Sequence, residues 1–156
     1  MASLLTRAEL VELRQRWRAQ GKSVVFTNGC FDLLHRGHIR LLEQARSLGD
    51  VLVLGLNSDA SVRHMKGPSR PILNEGERAA MAASLDAVDA VVLFDEETPR
   101  EVIAAFLPDI LVKGADWSHF IAGREEVEAA GGQVMALELQ PGYSTTNIVD
   151  VLISQP

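Results

Sequence analysis

The segment Val51-Leu52-Val53-Leu54-Gly55-Leu56 is apolar at every position. A strand with one wet face alternates apolar and polar side chains. An unbroken apolar run instead suits a strand covered on both faces, as in a parallel sheet packed between helices. Further strand candidates are 23–27, 88–94, 110–112 and 134–139. Stretches of helical period lie between them. Thr6 with Glu9 forms a capping box for a helix over 6–20, with Leu10, Leu13 and Trp17 on one face and Gly21 at its end. Further helices are expected over 37–48, closed by Gly49, and from Asn74 to about 85. Others start at Thr98-Pro99-Arg100-Glu101 and run over 124–130 and 145–153. The segment 57–71 reads as a polar loop carrying Arg63, His64, Lys66 and Arg70.

Strands that alternate with helices predict an α/β fold: a doubly wound, Rossmann-like parallel five-stranded sheet with helices on both faces. A single domain is expected over 1–156, with an N-terminal helix in 1–21 and the core in 22–153. Such sheets bind ligands beyond the carboxyl ends of their strands, at the switch point of strand order. The loops after the first, second, fourth and fifth expected strands are therefore the places to look.

A chain of 156 residues, 47% of them hydrophobic, can bury a sizeable core. No apolar stretch approaches the roughly 20 residues that span a bilayer, and no membrane partner is expected. Cys30 is the only cysteine, which rules out an internal disulfide and suits the reducing cytoplasm. A net charge of −6 argues against a protein that coats nucleic acid. It leaves room for a small phosphorylated ligand, which meets local charge rather than net charge. A homodimer is expected, two-fold dimers being the commonest assembly.

The first expected strand runs into Asn28-Gly29-Cys30-Phe31-Asp32-Leu33-Leu34-His35-Arg36-Gly37-His38. A buried strand thus opens into a glycine-bearing loop that delivers two histidines to a helix start. Helix starts present free N–H groups and the positive end of the helix dipole, so they hold anions. Two histidines added there can hold a phosphate and stabilise charge growing on it. Zinc would need a third ligand from His64, His119 or a carboxylate, and no motif supplies one, so no protein-held metal is expected. Cys30, with no base near it beyond the histidines, reads as a small loop residue rather than a nucleophile.

The run 29–38, with its His-x-Gly-His, resembles the first motif of the cytidylyltransferase-like nucleotidyltransferases. Gly142-Tyr143-Ser144-Thr145-Thr146 is similar to their second motif, and the likeness covers about 22–153. Other phrases point to a branch that adenylylates a sugar 1-phosphate. They are Thr27 to Asp32, Leu56-Asn57-Ser58-Asp59, Lys66-Gly67-Pro68-Ser69-Arg70-Pro71, Leu111 to Trp117 and Pro141 to Thr146. Relatives that load cytidylyl onto glycerol phosphate tend to end in Arg-Thr-Glu-Gly-Ile-Ser-Thr-Thr. Here Leu139-Gln140-Pro141 stands in place of Arg-Thr-Glu.

The resemblance implies transfer of AMP from ATP to a heptose 1-phosphate with release of pyrophosphate, for lipopolysaccharide core synthesis. The alternative is cytidylyl transfer to glycerol 3-phosphate or a related polyol phosphate. Mg²⁺ would ride on the triphosphate, since it keeps to phosphates and water. His35 and His38 would donate to the α-phosphate, and Lys66 would neutralise charge between the substrates. Thr27, Asn28, Gly29, Cys30 and Phe31 would line the nucleotide, with Gly37 admitting it close to the backbone. Ser144, Thr145 and Thr146, beside Tyr143, would hold the outer phosphates. Lys113, Gly114, Asp116 and Trp117 would line the base and ribose. Asn57, Arg63 and Arg70 would meet the sugar phosphate; Asp32 would either reach the ligand and its ion or brace its loop.

Overall fold

The structure, a computed structural model, describes residues 1–115, 120–138 and 144–154. Its elements run β1 (Ser3–Leu5), α1 (Arg7–Ala19), β2 (Val24–Gly29), α2 (Arg36–Arg46), β3 (Val51–Asn57), α3 (Asp59–Lys66), α4 (Glu75–Ala83), β4 (Ala90–Phe94), α5 (Arg100–Phe106), β5 (Ile110–Gly114), α6 (Arg124–Ala129), β6 (Gln133–Leu137) and α7 (Thr145–Ser154).

All strand pairs are parallel, in the order β1-β4-β3-β2-β5-β6. The doubly wound, Rossmann-like expectation holds, with six strands rather than five. The added strand, β1, pairs along β4 from Ser3 opposite Ala90 to Leu5 opposite Val92. It is three residues long, lies at the sheet edge and leaves Leu4 exposed, so no apolar run marks it.

Alternation along each strand sends successive side chains to opposite faces. Val24, Phe26, Val51 and Val53 meet Leu10 and Trp17 of α1, Val102, Ile103 and Phe106 of α5, and Val127 of α6. Val25, Leu52 and Leu54 meet Leu42 and Ala45 of α2 and Ala79, Ala82 and Ala83 of α4. On the first of these faces Gly55 makes room for Phe26: a Cβ there would stand 2.6 Å from its ring.

The second departure lies after β3. The expected polar loop holds α3, started by the Ser58 hydroxyl, which accepts the Ser61 N–H. Asp59 sits in the first turn, with Arg63, His64 and Lys66 in the last. These charges suit the helix dipole at both ends.

From β2 the chain winds outward through β3 and β4, then crosses to the other side of β2 for β5 and β6. The switch point therefore lies between the ends of β2 and β5, at Gly29 and Gly114.

Candidate active site

Beyond Gly29 the backbone turns through Phe31, a non-glycine residue at φ 45°. Such a backbone is uncommon for a bulky residue and is held only where neighbours over-determine it. Here the Phe31 side chain is buried, and its ring packs on His38 at 4.9 Å between centroids. Gly29 tolerates this turn because a Cβ would stand 2.8 Å from the same ring.

The two histidines stack at 3.8 Å between ring centroids, 17° from parallel. His35 is the N-cap of α2, and its backbone N–H donates to Nδ1 of His38 at 3.2 Å. That bond leaves the neutral His38 ring with its proton on Nε2, so the ring remains a donor. Burial pushes His38 down to about 4, with the His35 and Lys66 charges adding to it. Burial also lowers His35. At neutral pH the His38 ring is therefore an uncharged N–H donor at a helix start.

Lys66 ends α3 and is exposed, close enough for its charge to act on His38 and Cys30. Lys113 on β5 donates to the Asn28 carbonyl at 3.3 Å, which ties the two strands flanking the switch point. The start of α7 closes on the same loop: the Thr145 hydroxyl donates to the Leu33 carbonyl at 2.9 Å. Ser144 caps α7 by accepting the Asn147 N–H at 2.9 Å. Arg70 reaches the Thr146 hydroxyl at 3.5 Å and lies 3.9 Å from the Asp32 carboxylate. The two motifs, over 100 positions apart, are thus joined by a hydroxyl and bridged by one arginine.

Several expected residues face inward. The Asp32 carboxylate accepts the N–H groups of Ile72 and Leu73 at 2.8 and 2.9 Å. These bonds brace the loop of Asp32 against the segment leading into α4. Asn57 is buried, with its amide donating to Ser61 and accepting from the Cys30 thiol. Its side chain stabilises the turn into α3. Thr27 is buried within β2, and its hydroxyl has no partner among the described residues. Gly114 ends β5 and Gly37 lies in the first turn of α2. Arg63 is exposed on α3. Asp116, Trp117 and Tyr143 lie outside the described residues. Burial raises the Cys30 thiol, while Lys66, Arg78 and Lys113 act against it.

Sequence reasoning missed Arg78. It sits in an alanine-rich helix, where an arginine reads as a solvated face, yet it is 1% exposed. Its guanidinium donates to the carbonyls of Leu73, Cys30 and Asn57 and to the Asp59 carboxylate, all at 2.8 to 3.0 Å. A buried arginine is tolerable only when its donors are met in this way.

Among the described residues no cluster of three or more His, Cys, Asp or Glu could hold a metal ion, and no helix is long and apolar enough to cross a membrane.

A cytidylyltransferase-like family model matches residues 26–151. A curated relative from Koribacter versatilis, named bifunctional protein HldE, is 55% identical over 150 residues, 96% of this chain. One of the same name from Acidiphilium cryptum is 53% identical over 155 residues, 99% of this chain. The chain spans about a third of those relatives, 31% and 32% of their lengths. A solved lipopolysaccharide core biosynthesis protein from Thermoplasma volcanium superposes at a TM-score of 0.64 with 30% identity, covering 77% of this chain and 98% of that one. A pantoate-β-alanine ligase from Francisella tularensis superposes at 0.67 over 96% of this chain and 73% of its own, but at 14% identity it shows the fold alone. On a match that spans both motifs and the sheet from Phe26 onward, the chain belongs to the cytidylyltransferase-like family of nucleotidyltransferases.

Proposed function

We propose that the chain transfers the adenylyl group of ATP to D-glycero-β-D-manno-heptose 1-phosphate, giving ADP-heptose and pyrophosphate for lipopolysaccharide core synthesis. The observation that carries the reading is the His38 ring, held neutral and donating at the start of α2 beside His35. The adenylyl-type phrases of the sequence support the choice of substrates, and the likeness to a lipopolysaccharide core biosynthesis protein supports the pathway.

In the reaction an oxygen of the sugar phosphate attacks the α-phosphorus of ATP in line. A new P–O bond forms, the bond to the bridging α–β oxygen breaks, and pyrophosphate leaves with its electron pair. A phosphate monoester, with its second pKa near 6, is mostly a dianion at neutral pH, so no general base is needed. The protein's task is positioning and charge stabilisation. His35 and His38 donate to α-phosphate oxygens as their charge grows, His38 toward the leaving bridge. Lys66 neutralises charge between the two phosphates. Ser144, Thr146 and the N-terminus of α7 receive the outer phosphates, while Thr145 seats that helix on Leu33. Asn28 to Phe31 offer backbone N–H groups, and Lys113 and Gly114 line the nucleotide side.

Magnesium carried on the triphosphate would supply charge neutralisation there. The Asp32 carboxylate, the one in the histidine loop, is already engaged by two backbone N–H groups. That donor set fits an ion held by phosphates and water better than one held in a protein cage. The reading places the reaction in the cytoplasm, in a homodimer.

The test is pyrophosphate release from each of the four nucleoside triphosphates with heptose 1-phosphate or glycerol 3-phosphate, with Mg²⁺. Release with ATP and the heptose alone is expected. Release with CTP and glycerol phosphate would replace the reading with cytidylyl transfer.

A further inference from the structure

We propose that Arg78 is a positioning residue of the transfer site, fixing the Phe31 N–H as a donor to the transferring phosphate. The inference rests on the nucleotidyl-transfer reading above. It adds a residue that touches neither substrate.

Nη1 of Arg78 donates to the Cys30 carbonyl and to the Asn57 carbonyl, each at 2.8 Å. The Cys30–Phe31 peptide is trans. In a planar trans peptide the carbonyl and the N–H point in opposite directions. Anchoring the Cys30 carbonyl on a buried guanidinium therefore turns the Phe31 N–H away from the interior. That N–H has no acceptor among the described residues. It belongs to the loop that carries His35 and His38, and Phe31 packs directly on His38. A backbone donor held this way needs no reorganisation when charge develops, which is what makes such donors effective.

The same guanidinium sets the other half of the site. Nη2 pairs with Asp59, the first residue of α3, and Nε donates to Leu73, just before the cap of α4. Helix α3 ends in Lys66. One side chain thus fixes the histidine loop against the helix that carries the ammonium. The left-handed backbone of Phe31 is the strain this arrangement holds in place.

A second buried arginine provides the control. Arg14 donates to the Leu107 carbonyl at 3.1 Å and pairs with Asp109 at 3.0 Å. Asp109 accepts from the backbone of Val24, at the amino end of β2 and away from the site. Arg14 has the same chemistry and comparable burial, at the amino ends of β2 and β5, the opposite end of the strands from the site.

The experiment compares Arg78→Met and Arg78→Lys with Arg14→Met and Arg14→Lys, using ATP and heptose 1-phosphate. kcat, KM for ATP and the melting temperature are read for each. The wild-type chain is assayed first, so a silent wild type rejects the transfer reading rather than the role of Arg78. Loss of one such donor costs about 100-fold in rate. Arg78→Met is expected to lose about that much kcat with KM for ATP changed little, and Arg78→Lys to recover part of it. The Arg14 variants are expected to melt lower with kcat retained. If Arg78→Met does not fold, Arg78→Lys carries the comparison alone. Wild-type kcat in a folded Arg78 variant overturns the proposal, and so does an equal kcat loss in an Arg14 variant of the same melting temperature.

Discussion

The backbone N–H of His35 donates to Nδ1 of His38 at 3.2 Å, and this one bond decides what the second histidine can do. It occupies the nitrogen that would otherwise take a proton and leaves Nε2 as the donor. Burial against Phe31 and the stacked His35 ring then keeps the imidazole uncharged down to about pH 4.

This predicts a pH signature in stability. His38 in the fold has its pKa at about 4, against the ordinary 6.5 of an unfolded chain. Between those values the unfolded chain binds a proton that the fold refuses. The contribution is therefore fully present above pH 6.5 and is lost as pH falls toward 4. Its size is about 2 kcal/mol once partial solvent contact is allowed for. Urea unfolding of wild type and His38→Asn across that range should show the slope in wild type and a flatter profile in the variant. Equal slopes would mean that other groups carry the acid sensitivity.

His38→Asn separates the two jobs of the residue. An amide oxygen at the δ position can still accept the His35 N–H, so the helix start is kept. The donor at Nε2 is lost. Turnover should fall by 100-fold or more while ATP binding changes little, because the donor acts on the transition state. A parallel loss of ATP affinity, read by calorimetry, would make the ring a ground-state binder.

Lys66→Ala should act on the other substrate. The ammonium is exposed and joined to the site by charge, so its removal should raise KM for the sugar phosphate about tenfold, the worth of one charge-assisted contact in a partly screened setting. Unchanged steady-state kinetics would take Lys66 out of the site.

Asp32→Ala removes the acceptor of two backbone N–H groups at once. Chemical denaturation should show a loss of about 2–3 kcal/mol, the cost of leaving buried donors unmet. A loss below about 0.5 kcal/mol would show that the loop finds other acceptors, since surface changes away from such features fall in that range.

Much of this was legible in the sequence, for identifiable reasons. The apolar run of β3 announced a covered parallel strand, and Thr6 with Glu9 announced α1, whose capping box is present as expected. The strand–loop–helix at 24–46 placed both histidines correctly at a helix start. Other features escaped because their signals are weak or ambiguous. β1 is held by one neighbour at the edge and has no periodicity of its own. α3 was hidden because Arg63, His64 and Lys66 look like loop charges, although Ser58 is a proper cap. Asp32 and Asn57 have polar side chains whose partners lie in distant or hidden turns, so their inward roles follow from tertiary contacts alone. Arg78 is the clearest such case, since nothing in Glu77-Arg78-Ala79 distinguishes a buried guanidinium from a solvated one.

The most direct test of the account is the phosphorus NMR spectrum of the chain incubated with ATP, heptose 1-phosphate and Mg²⁺. The account predicts two coupled diphosphate resonances of a nucleoside diphosphate sugar, appearing in step with free pyrophosphate as the ATP signals decay. Pyrophosphate with AMP alone, or intact ATP beside unconsumed sugar phosphate, would contradict transfer to the heptose at this site.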